Sequence, residues 1–227
     1  MRGENKILII DAYGAVVEIV DEETAGDGIE YFEGILCPGF VNAHCHIELS
    51  HLKGKIPKHT GLVNFVQQVM KERTAAEEEK YTAMKAAEKE LYNSGTVAVG
   101  DICNTADSLS VKQKSAMHWH NFIEVSGFVG AVAQKRFDAA AAILEEFAAP
   151  SKRQEHGVSI VPHAPYSVSA NLFGLINEAT TNKTISIHNQ ECAEENELYL
   201  DKRGDFLICT IISALTSVIL LQRASDL

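Results

Sequence analysis

From about residue 40 to residue 204 the chain repeats one pattern. A short apolar run rich in β-branched residues is followed by a segment with helical spacing. The strand-like runs are Gly39-Phe40-Val41-Asn42-Ala43-His44, Thr96-Val97-Ala98-Val99-Gly100-Asp101-Ile102, Asn121-Phe122-Ile123-Glu124-Val125, Val158-Ser159-Ile160-Val161-Pro162 and Thr184-Ile185-Ser186-Ile187-His188. Between them, helices are expected over residues 61–73, 74–93, 107–117, 138–149 and 170–180, with another over 193–203. The first carries Leu62, Phe65, Val66, Val69 and Met70 on one face. Thr74 with Glu77 reads as the cap of the second, and Gly95 as its stop. The strand runs are nearly continuous in apolar character, as in a parallel sheet covered on both faces. This alternation means an α/β fold, either an open doubly wound sheet or a barrel. The first strand is not followed by a Gly-rich phosphate loop, which weakens the dinucleotide-binding alternative. Upstream, residues 6–35 read as a small β-unit punctuated by Gly14, Gly26, Gly28 and Gly34.

The composition excludes several classes of partner. Of 227 residues, 46% are hydrophobic and 22% charged, so the chain is neither disordered nor fibrous. The net charge is -11 and no basic stripe occurs, which argues against nucleic acid or an anionic membrane surface. Five scattered cysteines without CxxC spacing indicate neither a disulfide framework nor a zinc ribbon. Reduced thiols and an N-terminus unlike a signal peptide suggest a cytoplasmic protein. The charge-free stretch Phe206 to Leu221 is 16 residues long, short of the roughly 18–20 a spanning helix needs.

The chemistry-bearing residues lie at strand C-termini, where both α/β architectures place their sites. In His44-Cys45-His46 the two histidines sit at i and i+2, so both imidazoles point to one face of a strand and can converge on one ion. Taken alone, the pair is a weak signal and reads more readily as one buried and one solvent-facing histidine. His163, within Pro162-His163-Ala164-Pro165, reads either as a substrate contact or as a residue fixed by the X-Pro turn after it. Glu191 precedes Glu194, Glu195 and Glu197, and alone would read as a solvated glutamate at a helix start. Glu48, in the loop after the first strand, reads as a pocket residue or a plain loop residue. Asp101 and Glu124 end strands, where a role behind the ligands or in the pocket and a plain solvated strand end are equally open.

The stretch Leu36-Cys37-Pro38-Gly39-Phe40-Val41-Asn42-Ala43-His44-Cys45-His46 resembles the first metal-binding strand of the amidohydrolase superfamily. It is most similar to the branch containing cytosine, guanine and methylthioadenosine/S-adenosylhomocysteine deaminases and chlorohydrolases. Pro162-His163-Ala164-Pro165-Tyr166-Ser167-Val168-Ser169 resembles that branch's fourth-strand motif, and Ile187-His188-Asn189-Gln190-Glu191 its fifth. The resemblance implies a (β/α)8 barrel with a small β-sandwich. It implies one divalent metal, zinc or alternatively iron, with His44, His46 and His188 as ligands. Glu191 would move protons and His163 would orient a small heterocyclic substrate; Glu48 is a candidate pocket residue only by its place in the first βα loop. The expected reaction is hydrolytic deamination of a purine-type or related amino-heterocycle, with hydrolysis of a ring amide or a chloro-heterocycle as the alternative.

The sequence departs from that pattern after His188. No later histidine occurs, and Asp201, Asp205 and Asp226 lack the context of an eighth-strand metal ligand. Five βα units account for about 165 residues, so three more would need roughly 100. The expectation is an incomplete barrel of about five βα units. Residues 1–37 would be part of the sandwich, 38–204 the barrel units and 205–227 an atypical apolar tail. A reading frame truncated or shifted near residues 205–208 would explain the tail, and resequencing would test that. An inactive fragment is the alternative to an enzyme. Exposed sheet edges would favour poor solubility or association, including homo-oligomers.

Overall fold

The computed structural model describes residues 6–149 and 157–207. The chain divides into two units, Met1–Pro38 and Gly39–Leu227. In the first, β1 (Lys6–Ile10) and β2 (Val16–Asp21) pair antiparallel, with a register shift between Ile9 and Ile10. Asp11 shapes the turn between them. Its Oδ1 accepts the N–H groups of Tyr13 and Ala15 at 2.8 and 2.9 Å, and Gly14 takes the positive φ that closes the reversal.

The second unit holds four parallel strands: β3 (Phe40–Cys45), β4 (Thr96–Cys103), β5 (His118–Val125) and β6 (Gly157–Pro162). Their order in the sheet is their order in the chain. That is the arrangement of a barrel wall, whereas a doubly wound sheet reverses its strand order at a switch point. The intervening helices are α1 (Leu62–Glu72), α2 (Glu77–Asn93), α3 (Leu109–Lys112), α4 (Ala133–Ala148) and α5 (Ala170–Ala179), followed by the short α6 (Ala193–Asn196). The α/β class and the partial-barrel architecture are as the sequence indicates.

Strand alternation sorts the side chains onto two faces. On the helix-covered face, Cys103, Ile123, Val125 and Ile160 pack with Ala140 and Phe147 of α4 and Leu172 and Ile176 of α5. Val99 and Trp119 pack on the same face with Met84 of α2. On the opposite face Ile102, Phe122 and Val161 form a separate small cluster. Gly100 lies in register with that second set. A Cβ there would stand 2.6 Å from the Ala43 carbonyl oxygen and 2.9 Å from the Phe122 ring. Its missing side chain is what allows β3 to approach so closely.

Several elements differ from the sequence reading. Residues 184–188 run extended beside β6 but form no ladder. His188 N–H donates to the His163 carbonyl at 2.9 Å, while Ile185 and Ile187 stay exposed. The expected helix at 107–117 shrinks to α3, and β5 begins at His118 rather than Asn121. Trp119, expected outside the sheet, is a buried strand residue opposite Val99. Thr74 does not cap α2. Ala76 occupies that position, and Glu77, Glu78 and Glu79 place negative charge in the first turn instead. The expected helix over 193–203 is α6 followed by a wide π-helical turn, Glu197–Asp201. Most of the apolar tail lies outside the described residues. Its first residue, Phe206, is buried with Val63 and Leu198. Among the described residues no helix is long and apolar enough to cross a membrane.

A fully buried ion pair lies within the helix-covered face. Lys112 Nζ is 2.6 Å from Asp101 Oδ2, donates to Asn121 Oδ1 at 2.7 Å and lies 5.2 Å from the Trp119 ring centre. Burial alone would pull the Lys112 ammonium down, but Asp101 and then Cys103 hold it above its ordinary range. Lys112→Met removes one charge and leaves Asp101 buried without its partner. The expected loss is about 3–5 kcal/mol, read as a lower midpoint in urea unfolding.

Candidate metal centre

Three histidines from two distant segments meet at one point. His44 and His46 project from the end of β3, and His188 ends the extended segment beside β6. The Nε2 atoms lie 3.2 Å (His44–His46), 3.1 Å (His44–His188) and 3.1 Å (His46–His188) apart. Three mutually close ring nitrogens cannot all be hydrogen-bonded to one another. A neutral imidazole has one donor and one acceptor nitrogen, and all three rings direct the same atom to the same place. A cation between them resolves the conflict. Nitrogens at this spacing suit an ion roughly 2.0–2.1 Å from each, with N–ion–N angles of about 100°. The donor set therefore fits a divalent transition metal, and imidazole nitrogen suits zinc and iron alike.

Burial favours the neutral form of His44 and His46. Burial lowers the His44 imidazole, with His188 adding to the effect. Burial brings His46 down to about 4, against an opposing pull from Glu124. Neutral rings keep a lone pair free for a ligand bond.

His163 and Glu191 flank this triangle. The His163 ring is 5.1 Å from that of His188, and its Nδ1 is 2.6 Å from Ser167 Oγ. Ser167 Oγ in turn donates to the Ala164 carbonyl at 3.1 Å. With the hydroxyl proton so placed, Ser167 accepts from His163 Nδ1–H, and His163 Nε2 is left as an acceptor. Burial holds this ring below its ordinary range too. Glu191 is exposed, and its charge is close enough to pull His44 and His163 upward. Glu48 is buried. Its Oε2 accepts from Asn104 N–H, Thr105 N–H and Thr105 Oγ1, and its Oε1 is 3.7 Å from Arg73 Nη2. Burial raises its carboxyl to about 7 despite those bonds.

Glu195 escapes the sequence reading, and Glu124 resolves to one of the two readings left open for it. Glu195 belongs to an acidic run that looks solvated, yet it is 1% exposed. Its carboxylate accepts the N–H groups of Gln190 (3.1 Å) and Glu191 (2.6 Å), closing a reversal in which Gln190 has a φ of 56°. Cys192 takes the cap position three residues ahead of Glu195. The spacing is that of a capping box, but cysteine hides the signal. Glu124 is not a solvated strand end. Its Oε1 is 3.3 Å from His188 Nδ1, and its Oε2 accepts from Asn104 Nδ2 at 2.9 Å. Glu124, His163 and His188 make a second close group of metal-ligating atoms beside the first.

A profile of the Amidohydrolase family matches residues 35–224. This chain belongs to the amidohydrolase family. The amidohydrolase chain is 28% identical over 214 residues to the aminodeoxyfutalosine deaminase of Nitratiruptor, covering 89% of this chain and 50% of that protein. It superposes on the Helicobacter pylori aminofutalosine deaminase in complex with methylthio-coformycin with a TM-score of 0.75. The identity is 24%, and 89% of this chain and 50% of that one are covered. An adenosine deaminase from Xanthomonas campestris, solved with bound zinc, superposes with a TM-score of 0.59 at 19% identity, over 78% of this chain and 42% of that one. The chain spans about half the length of the curated relatives it matches.

The geometry predicts one divalent transition-metal ion per chain. His44→Ala, His46→Ala and His188→Ala are each expected to abolish stoichiometric binding, measured by equilibrium dialysis with elemental analysis.

Proposed function

We propose that this amidohydrolase chain carries the metal-binding half of a site for hydrolytic deamination of a purine-type or related amino-heterocycle. The observation that carries the reading is the convergence of His44, His46 and His188 Nε2 within 3.2 Å of one another. The family membership and the deaminase relatives support the reaction class. Zinc is the proposed ion, with iron as the alternative, and the proposed location is the cytoplasm. A divalent ion held by these histidines supplies the Lewis acidity that makes water a nucleophile near neutral pH.

The remaining work falls to this chain's own side chains. Water adds its oxygen to the ring carbon that bears the amine, and the C–N bond to that amine breaks to release ammonia. Glu191 is the proposed proton carrier. Free of other bonds among the described residues, its carboxylate takes a proton from the attacking water. It delivers that proton to the ring nitrogen, and a second proton, lost from the added hydroxyl as the C=O bond forms, is carried to the departing amine, which leaves as ammonia. His163 is the proposed orienting group. Its Nε2 acceptor faces outward from the Ser167 bond and would receive an N–H or O–H of the substrate. The Glu195 carboxylate fixes the reversal that presents Glu191. Glu48 shapes the wall of the same end through its hold on residues 104–105.

The test is ammonia release from aminopurine nucleosides by the zinc-loaded chain. Glu191→Gln is expected to lower kcat by about 10²–10⁴ while leaving zinc bound. His163→Ala is expected to raise KM as well as lower kcat. A folded, zinc-loaded chain that releases no ammonia from any amino-heterocycle would favour the non-catalytic fragment. Activity confined to chloro-heterocycles or ring amides would move the assignment to those substrates.

A further inference from the structure

Hydrogen positions around His188 follow from the chemistry of its neighbours. Arg73 can only donate, so its Nη2, 3.4 Å from Asn104 Oδ1, fixes which end of that amide is oxygen. Asn104 Nδ2 therefore faces Glu124 and donates to Oε2 at 2.9 Å. The other carboxylate oxygen, Oε1, is buried with no hydrogen-bond partner of its own among the described residues and sits 3.3 Å from His188 Nδ1. The His163 carbonyl oxygen lies 3.1 Å from the same nitrogen. A carbonyl and a carboxylate can only accept, so Nδ1 must carry the proton. Nε2, the atom aimed at His44 and His46, is then left with its lone pair.

This matters most for His188 because its backbone is the least constrained of the three. His44 belongs to the β3 ladder and His46 directly follows it, whereas residues 184–188 form no ladder.

We propose that Glu124, oriented by Arg73 through Asn104, is the positioning residue that sets the tautomer of His188 and so makes its Nε2 a metal ligand. The inference rests on the metal-centre reading above and extends it to a residue that touches neither the ion nor the substrate. It has an unusual corollary. In Glu124→Gln, Asn104 still donates toward the same side, so the new amide turns its oxygen to Asn104 and its NH2 to His188 Nδ1. A donor placed there favours the proton on Nε2 and blocks ligation. Glu124→Ala removes the carboxylate but leaves the His163 carbonyl to hold the original tautomer. The conservative variant is therefore the more damaging one, opposite to the order expected if Glu124 only filled space.

The experiment compares the full chain with Glu124→Gln, Glu124→Ala and Glu124→Asp. Zinc affinity is measured by competition with a chelator, and histidine tautomers by ¹⁵N imidazole spectra of the metal-free protein. The His188 signal is assigned by its loss in His188→Ala. The expected zinc affinity falls about 10–100-fold in Glu124→Gln, less in Glu124→Ala and least in Glu124→Asp. His188 is expected as the Nδ1–H form in the parent and shifted toward Nε2–H only in Glu124→Gln. Glu124→Gln with parental tautomer and parental affinity overturns the proposal, as does an Ala variant weaker than Gln with no tautomer change. If the parent binds no zinc, the metal-centre reading fails. The tautomer spectra then decide the part played by Glu124: an unshifted His188 in Glu124→Gln overturns it, and a shifted one supports it.

Discussion

The two-residue pleat of the parallel sheet is the constraint on which the centre depends. It sends His44 and His46 to one face of β3 and Cys45 to the other, where it packs against the α2 cluster. The same alternation brings Glu124, His163 and His188 to the histidine side, while Asp101, Cys103 and Ile123 face the helices. A shift of one residue in any strand would exchange these sets, placing imidazoles in an apolar layer and aliphatic groups where the three histidines meet. The packed face thus fixes the register, and the register fixes which donors converge. Gly100 serves the same end, since any larger residue would press β3 away from β4 at Ala43, one position before the first ligand.

Much of this arrangement is legible in the sequence because it rests on local periodicity. The runs that became β4 and β6 are continuous and β-branched, and the HxH pair declares its shared face at once. The roles that stay hidden or open depend on contacts between segments far apart in the chain. Glu124 remains divided between a solvated end and a role at the site until Asn104, twenty positions earlier, and His188, more than sixty later, are folded against it. Lys112 looks like a surface lysine on a helix, and only the position of Asp101 on a neighbouring strand lets it be a fully buried cation. Trp119 falls outside the expected strand because flanking histidines mask the alternation that puts its ring inward. The segment 184–188 has the composition of a strand, yet β-branched content specifies an extended backbone and does not by itself supply a ladder.

The acidic run after Glu191 shows why charge patterns mislead at helix starts. Glu194 and Glu197 remain at least partly accessible, as a charged run predicts. Glu195 turns inward because two successive backbone N–H groups, those of Gln190 and Glu191, need an acceptor where the chain reverses. A buried carboxylate in this position is stabilised by bonds to the main chain rather than by a cation. It also holds Gln190 in a left-handed conformation that a side-chain-bearing residue adopts only at some cost. Local strain is thereby placed next to the glutamate assigned to proton transfer, where a fixed direction of approach matters most.

The two buried charge networks lie on opposite faces of the sheet and meet in the backbone just after His46. Asp101, held by Lys112 on the helix side, uses its second oxygen to accept the N–H of Ile47 at 2.8 Å. Glu48, one residue on, binds the N–H groups of Asn104 and Thr105 at the end of β4. Asn104 then passes the connection to Glu124 and so to His188. A buried ion pair such as Lys112–Asp101 is poor value as a source of stability, because desolvation offsets most of its attraction. Its geometry gives a better reason for its presence. Asp101 must keep a charged oxygen at the Ile47 amide, and Lys112 is the counter-ion that lets an ionised carboxylate remain there. The turn that carries His46 away from β3 is thus pinned from the helix side, and His188 is oriented from the other. The three converging histidines are set by interactions outside their own triangle.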